Sequence, residues 1–150
     1  MVRLVAPAIL LVVATLFFRG LGALGVDAFG TWIDSARVAL ALMFLFTATG
    51  HFNRMKDDLI RMVPPRFPNP RALVFTTGVL EILGAIGLLV PATRRLAAWG
   101  LALMLVALFP ANLSAARRRL TLRGKPVTPL PLRLAIQLLF LAVTLWVALG

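Results

Sequence analysis

Residues 71–95 read RALVFTTGVLEILGAIGLLVPATRR, and the fold follows from how this stretch is understood. Between the flanking arginines, residues 72–90 form one apolar run with one charged residue, Glu81. As a helix rising 1.5 Å per residue the run is about 28 Å long. That is close to the roughly 30 Å hydrocarbon thickness of a bilayer. Glu81 then falls about 15 Å from Arg71, near the midplane. A carboxylate at that depth costs on the order of 2.5–3.5 kcal/mol, so it should face a partner or a polar cavity rather than lipid. Its helical neighbours Gly78, Gly84 and Ala85 are small, which lets another helix approach closely on that face. The stretch therefore predicts a membrane-spanning helix with a buried acid.

Composition extends this reading to the whole chain. The 150 residues are 61% hydrophobic, with mean hydropathy +0.96; soluble domains run nearer 45–50% apolar. A single transmembrane domain over residues 1–150 follows, with no room for a soluble catalytic domain beside it. The chain has no cysteine, which removes thiol–disulfide exchange, thiolate metal sites and iron–sulfur clusters. Its one histidine excludes a bis-histidine haem within the chain. The net charge of +11 lies in clusters between apolar runs, without aromatic stacking platforms. It therefore reads as membrane topology and not as a nucleic-acid surface.

Working outward, apolar and polar stretches alternate. The predicted spans are residues 4–26, 35–52, 72–90, 96–115 and 132–149, joined by charged or proline-containing links. The first reads as an uncleaved helix, with a cleaved signal peptide as the alternative. Asp34 or Ser35 is expected to N-cap the second, and Trp32 to sit at the interface. Residues 53–63 are too charged to span. Phe52, Met55, Leu59, Ile60 and Val63 share a face, with Lys56, Asp57, Asp58 and Arg61 elsewhere, so an interfacial amphipathic helix is predicted, stopped at Pro64 and Pro65.

Five spans put the N-terminus and the links after spans two and four on one side. That side holds Arg3, Arg54, Lys56, Arg61, Arg66, Arg71, Arg117, Arg118, Arg119, Arg123, Lys125 and Arg133, against Arg19, Arg37, Arg94 and Arg95 on the other. The imbalance predicts the N-terminus inside and the C-terminus outside. Arg117, Arg118 and Arg119 are expected to touch anionic headgroups.

The order of short motifs is distinctive. Arg37 is followed by TATGHF (residues 47–52), MVPP (62–65), GVLE (78–81), GLLVPATRR (87–95), FPAN (109–112) and RLAIQ (133–137). In this the chain resembles the DoxX family of small prokaryotic membrane proteins. The resemblance covers about residues 35–149. It implies a core of four transmembrane helices, with residues 4–26 as an addition, in the cytoplasmic membrane of a prokaryote. It also implies an association with quinone-linked respiratory oxidation and with redox-protein partners. A direct thiol role does not carry over, because cysteine is absent.

Two polar sets are candidate sites. Glu81 with Arg37 reads either as an ion pair fixing helix packing or as a proton relay or ligand anchor; a protonated Glu81 bonded to backbone or Thr77 is a third reading. His51, Asn112 and Gln137, with Arg133 beside them, fall in the same third of their helices. They offer the donors a quinone headgroup needs at the end of an apolar cleft, or form a mutually satisfied polar lid. A metal site is disfavoured, since one histidine with amides is a poor ligand set. No catalytic residue is assigned. The expectation is an accessory membrane protein binding a quinone or other lipid-soluble molecule. The alternatives are a quinone-linked redox subunit using Glu81 and His51 for proton transfer, and a small transporter or channel lined by Glu81. Small residues on the first helix leave room for a homo-oligomer.

Overall fold

The computed structural model describes residues 2–122 and 124–150. Arg123, one of the residues in the expected basic cluster, lies outside them. Among the described residues the regular structure is helical apart from a two-stranded hairpin. In order the helices are α1 (Val2–Ala23), α2 (Trp32–Phe52), α3 (Lys56–Met62), α4 (Pro70–Leu89), α5 (Arg94–Ala107), α6 (Phe109–Arg117) and α7 (Leu130–Leu149). Among the described residues five helical segments are long and apolar enough to cross a membrane, the fourth being α5 and α6 taken together.

Local chemistry sets the ends of these helices and shifts some from their expected places. α2 starts at Trp32, a turn earlier than predicted, because Thr31 is the cap in place of Asp34 or Ser35. The Thr31 hydroxyl accepts from the Asp34 amide at 3.1 Å and donates to the Asp34 carboxylate at 2.6 Å, so cap and third helical residue satisfy each other. Asn69 caps α4 through the Ala72 amide, and Pro70 takes the first helical position, where its missing N–H is harmless. The fourth span is interrupted at Leu108. Pro110 has no N–H to give Val106 and its ring crowds that carbonyl, so the ladder breaks and restarts as α6.

α2 lies between α1 and α4, α5 lies between α4 and α7, and α7 returns to touch α2 and α1. The core along these seams is built from Ala36, Ala39, Leu40, Phe44, Ala85, Leu88, Ala98, Leu101 and Phe140. Two glycines set the spacing. A Cβ on Gly78 would meet the Cβ of His51 at 2.5 Å, and one on Gly84 would meet Leu101 at 2.5 Å. The small residues beside Glu81 thus admit α2 on one side and α5 on the other. Ile9, Leu16, Phe75, Leu83, Leu103 and Leu138 point outward, more than half exposed. A surface this apolar matches hydrocarbon, not water.

α3 covers the ends of α2, α4 and α6. It is shorter than residues 53–63, and its orientation corrects one expectation: Asp58, placed on the polar face, is buried with Met62. Asp58 accepts from Arg61 one turn on, which makes its inward position tolerable. The basic link after α6 is also more ordered than a plain linker. Thr121–Leu122 pairs antiparallel with Lys125–Pro126. Arg118 reaches across to the carbonyls of Arg61 and Val63, the exposed C-terminal carbonyls of α3.

Candidate functional site

Among the described residues, two polar clusters sit between the apolar helices. The first joins α2 to α4. His51 and Glu81 are 8% and 5% exposed, and His51 Nε2 lies 3.6 Å from Glu81 Oε1. Thr47, one turn before His51, donates from Oγ1 to Glu81 Oε2 at 2.9 Å. The other ring nitrogen, Nδ1, is 2.7 Å from the Val74 carbonyl and 3.3 Å from Thr77 Oγ1. A carbonyl can only accept, so Nδ1 carries a proton. Nε2 therefore faces the carboxyl with its lone pair or a second proton. Imidazolium against carboxylate, and neutral imidazole against carboxylic acid, differ only in which partner holds one shared proton. At 3.6 Å the two groups face each other without a direct hydrogen bond, in a dry surrounding where an isolated charge would be costly.

The helix register explains the meeting. α2 and α4 are antiparallel, so one turn up α2 from Thr47 to His51 matches one turn down α4 from Glu81 to Thr77 and Gly78. Gly78 lets the imidazole lie against the α4 backbone. Arg37 is not part of this cluster. It bonds Asp34, three residues back on its own helix, at 3.1 Å, so the expected Glu81–Arg37 pair is replaced by Glu81 with His51 and Thr47.

The second cluster joins α6 to α7 and holds three of the four residues of the predicted set. Arg133, 1% exposed, donates from Nη1 to Asn112 Oδ1 at 2.6 Å. Asn112 Nδ2 donates to Gln137 Oε1 at 3.0 Å. Gln137 Nε2 donates to the Leu105 carbonyl at 2.8 Å. In an unbroken helix that carbonyl would serve the amide of residue 109; the interruption at Leu108 releases it. His51, the fourth member, bonds instead within the α2–α4 cluster. Val74, Thr47 and Leu105 complete the two networks and were not singled out from the sequence. For Thr47 a signal existed in the TATGH motif, one turn ahead of the histidine.

Among the described residues, two apolar grooves open on the outer surface of the helices. One, of about 420 Å³, runs along the α2–α4 seam between Leu45, Ala48, Phe52 and Ile82, with Thr49 and Asn53 at its edge. Its walls are the immediate neighbours of His51 and Glu81, but neither of those two lines it. The other, of about 550 Å³, lies between α4 and α5.

These features define a helical protein with five candidate membrane spans and a buried histidine–carboxyl pair. Residues 40–148 match the sequence model of a domain of unknown function, DUF8561, and the chain belongs to that family. No curated protein and no solved structure matches it.

Proposed function

We propose that this is a small DoxX-like accessory protein of the prokaryotic cytoplasmic membrane, with α2, α4, α5 and the α6–α7 unit as a four-span core and α1 as an addition. It binds a lipid-soluble molecule, with a quinone as the leading class, in the α2–α4 groove. The observation that carries this is the buried His51–Glu81 pair, 3.6 Å apart, behind an open apolar groove walled by Phe52 and Ile82. Quinone chemistry couples electrons to protons, and the His51–Glu81 pair, one residue behind the groove walls Phe52 and Ile82, is the titratable pair that would serve the second half of that need. Asn112 bonds both Arg133 and Gln137, and the three are better read as a structural lock between α6 and α7, although Arg133 Nε is buried without a partner among the described residues.

The test uses the protein in lipid nanodiscs, titrated with a short-chain benzoquinone and followed by native mass spectrometry. Ile82→Trp fills the groove and abolishes binding. Glu81→Gln keeps the Thr47 hydrogen bond and, because Glu81 stands behind the groove wall, weakens binding less than Ile82→Trp does. Unchanged binding in Ile82→Trp sinks the proposal. The burial of both His51 and Glu81 favours a second reading, in which the pair only fastens α2 to α4. In that case wild type binds no quinone, and His51→Ala lowers heat stability alone.

A further inference from the structure

The α4–α5 groove lies at the other end of the helices from His51, and the quinone reading does not use it. Its length is informative. It runs from Val90 and Leu96 to Leu80 and Met104, about 15 Å along α4 and about 12 Å along α5. That is one leaflet of a roughly 30 Å hydrocarbon layer, from interface to midplane. Another transmembrane helix would need a groove of twice that length to pack along its whole span. An acyl chain needs only this one. The groove stays open at Gly100, where an added Cβ would meet nothing within 4 Å. Leu83 and Leu96 stand out as its rims, more than half exposed. At its interfacial mouth Thr93 is followed by Arg94 and Arg95, both exposed.

An apolar slot one leaflet deep, ending at two adjacent cations, has the two-part chemistry of an anionic phospholipid. We propose that such a lipid is held here, its phosphate on Arg94 and Arg95 and one acyl chain between α4 and α5. The site is separate from the Arg117–Arg119 cluster, which lies at the opposite end of the spans.

The protein reconstituted in nanodiscs of phosphatidylcholine with a minor fraction of phosphatidylglycerol, then released into native mass spectrometry, retains phosphatidylglycerol preferentially. Arg94→Gln and Arg95→Gln each reduce the retained lipid about fivefold, the effect of one basic residue at a membrane surface. Gly100→Leu has room for its side chain and leaves both charges in place. It removes the retained lipid while circular dichroism shows unchanged helix content. Retention unaltered by these three variants, or lost only in Arg117→Gln/Arg119→Gln, overturns the proposal.

Discussion

At the scale of the residue, the two polar clusters differ in how replaceable their members are. Arg133 is almost wholly enclosed and leans on Asn112. Removing that acceptor strands a buried cation, so Asn112→Leu is expected to lower stability by about 2–3 kcal/mol. Adding Arg133→Met to the same chain should restore most of the loss, because the uncompensated charge leaves with it. Denaturant titration in detergent measures both, and a double variant no better than the single one contradicts the assignment. Residue types were legible in the sequence here, and pairings less so. A carboxylate at bilayer depth announced that Glu81 had a partner, but helix rise alone allowed Arg37 across a gap of roughly 10 Å. Asp34 lies one turn from Arg37 and meets its charge locally, so the long-range pair had no driving force. Asn112, Gln137 and Arg133 were found together because they share a depth. His51 shares that depth too, but faces α4, and depth says nothing of azimuth.

At the scale of the element, spans were read from length and hydropathy, which a bilayer makes unusually strict. Their ends were not, since these depend on one hydroxyl or one amide: Thr31 began α2 early, and Asn69 with Pro70 began α4. The break at Leu108 has a cause visible in the sequence, Pro110, yet its effect on Gln137 needs the neighbouring helix in view. The α2–α4 seam has its own test. Gly78→Leu drives a side chain into the imidazole of His51 and is expected to cost about 1–3 kcal/mol, as overpacking does. Gly100→Leu, which meets open space, is the matched control and should cost nothing measurable in the same thermal melt. Equal losses would mean that close approach at Gly78 is unimportant.

At the scale of the whole molecule, the basic residues divide unequally between the two ends of the spans, and this predicts the N-terminus inside and the C-terminus outside. The absence of cysteine makes the prediction easy to check. Gly150→Cys should react with a membrane-impermeant maleimide in intact cells, and Arg66→Cys only after the membrane is opened. The reverse pattern inverts the topology. The four-span core remains a proposal, and comparison of the chain with and without residues 1–26 for retained fold bears on it directly.

The polar contacts also carry an order in time. Chains are made from the N-terminus, and each long-range polar bond described above joins an early residue to one synthesised later. His51 waits for Val74 and Glu81, Asn112 waits for Arg133, and the carbonyls of Arg61 and Val63 wait for Arg118. α2 thus reaches the bilayer with its imidazole unanswered, and the arrival of α4 answers it. α3 stays loosely seated until the fourth span has emerged from the ribosome and Arg118 can close over it. Assembly is a series of latches, each set by a later segment, and a chain truncated after residue 117 and released would hold the partners of its first latch but lack those of the other two.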